Sequence, residues 1–190
     1  MAKHLCLCSL IPRIETKTKV VMLMHCYEFK KPSNTARLVW KSLPNSEVRL
    51  QGEIRKPLNL ENLVSPERET LILFPEASAA LLDAEEAKKI TKPVTLLVPD
   101  GTWKQAKKIA AYASMLPGAR RVGVPFKEPS RYFLRTADRS DRLCTLEAIA
   151  RALEVLESPE VRKSLEALME QMVDRVLLSR AQRRPLPMRR

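Results

Sequence analysis

Two short apolar runs, Leu71-Ile72-Leu73-Phe74-Pro75 and Val94 to Pro99, constrain this chain more than any other feature. Neither shows the apolar-polar alternation of a strand with one wet face, so each is expected to be covered on both sides. Each is followed by a stretch of helix formers, Ala77 to Ile90 and Trp103 to Met115. Upstream, the apolar run Lys19 to Cys26 leads to a helix-like segment from Asn34 to Leu43, capped by Ser33 or Asn34. Val48 to Ile54 and Arg121 to Val124 are shorter strand candidates. Buried strands alternating with helices predict an α/β fold, a mostly parallel sheet flanked by helices. The remainder reads as helical. Thr145 to Glu157 is followed by Ser158-Pro159-Glu160, a cap with proline at the first helical position. Val161, Leu165, Leu168, Met172 and Val176 then recur at spacings of three and four, one packed face.

A chain of 190 residues is expected to form one domain, residues 1–182, with 183–190 as a basic tail. No apolar stretch is long enough to span a bilayer and the N-terminus lacks a secretory h-region, so the expectation is a cytoplasmic protein with no membrane partner. Cys6 and Cys8 cluster at one end, far from Cys26 and Cys144, and do not read as a disulfide framework. The net charge of +12 points to a polyanionic partner, with nucleic acid favoured over membrane because the tail holds Pro185 and Pro187 and no amphipathic basic helix. The positive charge concentrates in Arg120, Arg121, Lys127, Arg131, Arg135, Arg139 and Arg142, and in the arginines from Arg180 onward. A solvated, solubilising surface is the plain alternative.

The strand run ending at Pro99 is broken by Asp100-Gly101-Thr102-Trp103, which places a carboxylate and a large aromatic at the C-terminal end of a strand, where open α/β sheets bind ligands. An aspartate before glycine also serves as a turn or cap residue, and a tryptophan opening a helix also serves as core. The four glycines are too scattered for Gly-x-Gly-x-x-Gly, and no Gly-Lys-Ser/Thr is present, which excludes the usual dinucleotide and P-loop sites. His25 and Glu28 lack the second histidine of a zincin.

Seven short strings remain: Cys6-x-Cys8, His25-x-x-Glu28, Asn34-Thr35-Ala36-Arg37, Leu73-Phe74-Pro75, Asp100-Gly101-Thr102-Trp103, Ser130-x-Tyr132-x-x-Arg135 and Thr145-Leu146-Glu147-Ala148. Their order and spacing resemble the DTW-domain proteins from about Cys6 to about Leu156. The resemblance implies a fold similar to SPOUT methyltransferases, with a C-terminal trefoil knot whose loop backbone wraps the cofactor without a glycine-rich loop. It implies S-adenosylmethionine as the donor and tRNA as the acceptor, with an aminocarboxypropyl group moved to N3 of a uridine. A SPOUT-type RNA methyltransferase and a non-catalytic basic RNA-binding protein are the alternatives. Within this frame Asp100 and Trp103 are the catalytic candidates, Asp100 managing the imide proton, orienting the imide or steadying the sulfonium, and Trp103 stacking on uracil or adenine. Leu73, Pro75, Leu97 and Val98 are assigned to the cofactor site by resemblance alone. Arg135 would pair with the cofactor carboxylate or a tRNA phosphate through its planar fork, or with a surface acid. Ser130 and Tyr132 accompany it, while Thr145 and Glu147 form a helix start that either holds a carboxylate or simply caps the helix.

The chain departs from the resemblance at its N-terminus. Relatives carry a Cys-x-x-Cys ahead of the Cys-x-Cys, making four thiolates, whereas five residues precede Cys6 here. Cys6 and Cys8, with His4, would make an incomplete site, so zinc is not expected and no residue is assigned to a metal. A second departure is Cys144, where relatives have serine. The purified protein is accordingly expected to carry well below one zinc per chain and to keep its melting temperature in chelator. Stoichiometric zinc by elemental analysis would reinstate Cys6 and Cys8 as ligands.

Overall fold

The computed structural model describes residues 5–52, 57–77, 79–126, 128–134 and 143–182. Its centre is a six-stranded sheet of order β2-β1-β5-β3-β6-β4, in which every neighbouring pair is parallel. The strands are β1 (Lys19–His25), β2 (Ser46–Gln51), β3 (Glu69–Leu73), β4 (Ala80–Leu81), β5 (Val94–Asp100) and β6 (Arg120–Gly123). Met24 lies opposite Asp100, Ile72 opposite Leu97 and Leu73 opposite Val122, so the C-terminal ends of the central strands meet at one edge. Parallel pairing demands this, because each strand must be re-entered from the same side by a crossover.

The unbroken apolar runs follow from two cores. Val20, Met22 and Met24 of β1, Leu71 and Leu73 of β3, and Leu96 and Val98 of β5 face one core. That core is covered by α2 (Ala36–Ser42), α5 (Thr145–Leu156) and α6 (Pro159–Gln182). Val21, Leu23, Ile72 and Leu97 face the other, against Ile109, Ala110 and Ala113 of α4 (Trp103–Ala113) and against Leu58 and Leu63. With a side-chain period of two, each strand must be apolar at every position to serve both. Edge strand β2, by contrast, has no fully buried residue. On α6, Val161, Leu165, Leu168 and Met172 are buried, as their spacing requires, and Val176 packs beside them.

One expected helix is mostly something else. In place of a helix over Ala77 to Ile90, the chain forms β4 and then α3 (Ala84–Lys88). Asp83 starts that helix late, because its carboxylate accepts from the N–H groups of Glu85 and Glu86 at 3.0 and 2.9 Å. Leu82 is fully buried and its N–H bonds to the Gly123 carbonyl, which holds the preceding residues in extended form beside β6. A short α1 (Cys26–Phe29) also follows β1, where the sequence shows only the end of an apolar run. The remaining elements lie within about two residues of their expected bounds, the usual uncertainty of helix and strand ends. For β2 the expected bounds run to Ile54, and residues 53–56 lie outside the described residues.

The described arginines Arg120, Arg121 and Arg131 of the basic stretch are engaged within the protein. Arg120 pairs with Glu69 and Glu86, Arg121 with Glu76, and Arg131 with Glu170. Lys127, Arg135, Arg139, Arg142 and the tail 183–190 lie outside the described residues. Three of the cations that point to a polyanionic partner thus already have carboxylate partners within the protein. No described helix is long and apolar enough to cross a membrane.

Candidate active site

Where the ends of β3, β5 and β6 meet, a cavity of about 190 Å³ opens. Leu73, Phe74 and Pro75 line it after β3, Val98, Pro99 and Gly101 at the end of β5, and Val124 and Phe126 after β6. Thr145 and Ala148 of α5 and Trp103 of α4 close its sides. The walls are mostly apolar, with strand-end backbone exposed among them, the usual character of a small-ligand site. The Phe74 N–H bonds to the Val122 carbonyl at 3.0 Å, which ties the β3 exit to β6.

Asp100 stands at the edge of this cavity, between Pro99 and Gly101, and is 6% exposed. A buried carboxylate must be met by donors. Asn34 Nδ2 donates to Oδ2 at 2.8 Å and the Thr145 hydroxyl to Oδ1 at 2.5 Å. Asn34 is itself fixed, since its Oδ1 accepts from the Arg37 N–H at 3.0 Å in the first turn of α2. The Thr35 hydroxyl accepts from the Leu146 N–H at 3.3 Å. The starts of α2 and α5 are thus bonded to each other and to the end of β5, so that residues more than a hundred positions apart hold one carboxylate in a set plane.

Glu147, 2% exposed, plays a different part. It accepts from the Ser130 hydroxyl at 2.6 Å, the Arg131 N–H at 2.7 Å and the Cys144 N–H at 2.9 Å. Those three donors account for its burial and staple the segment after β6 onto the start of α5. Tyr132 extends the staple, its hydroxyl donating to the Ser33 carbonyl at 2.6 Å. The Cys144 thiol packs against Met169, and burial, with Glu147 beside it, pushes it well above the ordinary thiol range, so it stays protonated.

The short turn between β5 and α4 explains Gly101. A Cβ there would lie 2.9 Å from the Gln105 Cβ. Gln105 cannot give way cheaply, because its side chain accepts from the Thr102 N–H at 2.8 Å while the Thr102 hydroxyl accepts from the Gln105 N–H, a capping box that starts α4. Trp103, the first residue of that helix, tilts against Phe74 with ring centroids 5.7 Å apart and is 39% exposed.

Of the residues expected from sequence, Leu73, Pro75, Val98, Trp103 and Thr145 line the cavity, and Asp100 sits at its edge bonded to Thr145. Leu97 points to the opposite core, because alternation along β5 turns it away from Val98. Ser130, Tyr132 and Glu147 form the staple and do not line the cavity. Arg135 lies outside the described residues. Sequence reasoning missed the role of Asn34, read as a helix cap although it stood in a quoted motif. It also missed Arg151, buried on α5, which donates to the Glu128 carbonyl at 2.9 Å and lies 5.9 Å from the Phe126 ring centroid, bracing the β6 wall. Nothing in its local helical sequence distinguishes that arginine from a surface one.

Cys6 and Cys8 are exposed beside a separate groove lined by Arg37, Lys41 and Met172. The Cys8 N–H bonds to the Cys6 sulfur at 3.4 Å and draws that thiol below its ordinary range, while Cys8, facing Cys6, is raised. Among the described residues no three His, Cys, Asp or Glu side chains gather as a metal site would need, and His4 lies outside them.

The family described as DTW domain matches residues 1–177. The tRNA-uridine aminocarboxypropyltransferase 2 of Drosophila melanogaster is 34% identical over 169 residues, covering 84% of this chain and 66% of that protein. The protein of the same name from Macaca fascicularis is 31% identical and covers 82% and 54%. The tRNA-uridine aminocarboxypropyltransferase A of Arabidopsis thaliana is 27% identical and covers 89% and 75%. The chain therefore spans between about half and two thirds of the length of the first two relatives. Among solved structures, the SAM-dependent rRNA:acp-transferase Tsr3 from Vulcanisaeta distributa superposes with a TM-score of 0.54 at 17% identity, covering 86% of this chain and 80% of that one, a likeness of fold.

The Asp100 clamp generates a direct test. Thr145→Val keeps the shape and removes one of the donors to a buried carboxylate. A loss of about 1–3 kcal/mol in urea unfolding is expected. Unchanged stability would show that Asp100 does not depend on that hydroxyl.

Proposed function

The chain belongs to the DTW-domain family, and from that premise we propose that it transfers the 3-amino-3-carboxypropyl group of S-adenosylmethionine to N3 of a uridine in tRNA. The names of its relatives support the acceptor and the group transferred, and the fold neighbour, itself a SAM-dependent acp-transferase, supports the donor. The observation that carries the reading is the buried carboxylate of Asp100, held by Asn34 and Thr145 at the edge of an apolar cavity flanked by an exposed tryptophan. The same reading takes residues 1–182 as one unit working in the cytoplasm. It also takes the C-terminal part as a trefoil knot, as the resemblance implies.

The residues present fit the donor. The cavity offers apolar walls for the adenosine part, ring faces from Phe74, Trp103 and Phe126, and strand-end backbone for polar edges. S-adenosylmethionine supplies three carbons activated by one sulfonium, and the carbon presented to the nucleophile sets the product, methylthioadenosine leaving when the aminocarboxypropyl arm is presented. The protein's part is to hold the uracil still and to receive its imide proton. Asp100, at the cavity edge, is the acceptor for that proton, as general base. Asn34 and Thr145 keep its oxygens in one plane through the reaction, so no reorganisation is needed at attack. Trp103 stacks on a base, and Glu147 and Arg151 hold the walls without touching substrate.

Asp100→Asn is expected to fold, to bind S-adenosylmethionine and to lower the rate of transfer by about 10²-fold or more. Near-normal turnover of the folded variant would remove Asp100 from catalysis, and a loss confined to donor affinity would assign it to the sulfonium instead. The parent reaction is tested by nucleoside analysis of tRNA incubated with protein and S-adenosylmethionine, together with mass spectrometry of the by-product. Methylthioadenosine is expected, S-adenosylhomocysteine would mean methyl transfer, and tRNA binding with no by-product would leave an RNA-binding protein.

A further inference from the structure

We infer that the exposed face of α4 receives the RNA strand, with Lys104, Lys107 and Lys108 on its phosphates and Trp103 against a base at the cavity mouth. The inference rests on the transferase reading and locates its RNA surface. Ala106, Ile109, Ala110 and Ala113 are the buried residues of α4. At about 3.6 residues per turn this sends Lys104 and Lys108 directly away from the sheet and sets Lys107 between them and Trp103. Trp103 and Ala106 line the cavity, so Lys107 is the lysine nearest its opening around the helix, and Lys104 and Lys108 lie on the face beyond it.

These lysines, like Lys41 on α2 and Lys163 on α6 but unlike several others, have no carboxylate partner among the described residues. Lys31 pairs with Glu28, Lys88 with Glu85 and Lys89 with Glu86, each within its own helix or turn. Between Asp100 and Glu128 the chain has no acidic residue at all, against Lys104, Lys107, Lys108, Arg120, Arg121 and Lys127. Arg120 and Arg121 reach carboxylates elsewhere on the protein, whereas among the described residues Lys104, Lys107 and Lys108 form no ion pair. Their placement is locally unfavourable. They crowd the first two turns of a helix with no acid in its first turn, where the dipole disfavours cations, and Lys104 repels Lys107 and Lys108 at spacings of three and four. A local rule broken this way beside a cavity points to function. The chemistry that relieves it is a polyanion whose base enters the cavity while flanking phosphates stay outside, as when single-stranded RNA presents a splayed base to an aromatic side chain. A flat anionic surface or an acidic protein would satisfy the charges but would bring no base to Trp103 at the cavity mouth.

The test uses the full chain and an unmodified tRNA transcript. Lys104→Ala/Lys107→Ala/Lys108→Ala is compared with Lys88→Ala/Lys89→Ala/Lys92→Ala, which removes the same number of charges from the region of α3. Alanine is the best helix former, so α4 should persist, and circular dichroism checks it. Across a salt series, the α4 variant is expected to lose about 2–3 from the slope of log affinity against log salt and at least about tenfold in tRNA affinity at moderate salt. The control variant should stay near wild type. Affinity for S-adenosylmethionine, measured by calorimetry, should be unchanged in both. An α4 variant with wild-type slope and affinity, or a control weakened equally, overturns the assignment while wild-type transfer keeps the function intact. A wild-type protein that neither binds tRNA nor forms methylthioadenosine overturns the transferase reading and the α4 surface with it.

Discussion

A carboxylate at the end of a fully buried strand cannot be left to water, and the donors that meet Asp100 organise the functional end of this protein. Asn34 comes from the start of α2 and Thr145 from the start of α5, so satisfying one side chain requires two helices to begin at the same corner of the sheet. The helix starts are bonded to each other as well, through Thr35 and the Leu146 N–H. Each link is worth little alone in a folded protein, yet breaking one strands a buried charge, which is where the larger cost lies. Positioning and stability are therefore the same interaction seen from two sides.

The site is poor in glycine because its polar edges come from strand ends. Three parallel strands present their exits together, and the backbone there is free of ladder partners on the outgoing side. Gly101 is needed for a local reason, the crowding of the α4 capping box. The wall after β6 has little regular structure of its own, and it is held from behind by Arg151 and Glu147, which reach its carbonyl and N–H groups. Buried charged side chains here act as braces for loop backbone, a use that the desolvation cost permits only because their main hydrogen bonds are made.

Net charge and its placement carry different information. The excess of +12 says that the chain favours a polyanion, but arginines that look clustered in sequence fan out to Glu69, Glu76, Glu86 and Glu170 once the sheet forms. Among the described residues, what remains on the helix that follows Asp100 is a smaller set of lysines without ion pairs. Long-range attraction depends on the total, whereas docking depends on which cations stay unneutralised near the site.

The sequence alone determined the parallel α/β architecture, because only strands covered on both faces can be apolar without alternation. Leu71 to Phe74 and Val94 to Val98 could not be half-exposed. It also placed Asp100 and Trp103 at a strand end, where such sheets bind ligands, and its motif order carried the family. It misjudged Ala77 to Ile90, because helix propensity summed over a window overlooks a single capping aspartate and a neighbouring strand that recruits Ala80 and Leu81. The resemblance groups Leu97 with Val98, and the pleat sends their side chains to opposite cores. Only the tertiary structure decided that Asn34, Asp100 and Thr145 share one hydrogen-bonded group, that Glu147 and Ser130 form a staple, and that Arg120 is spent on carboxylates while the α4 lysines are not. Those facts are distances between residues far apart in the chain, set by crossover and register, and no local pattern of side chains encodes them.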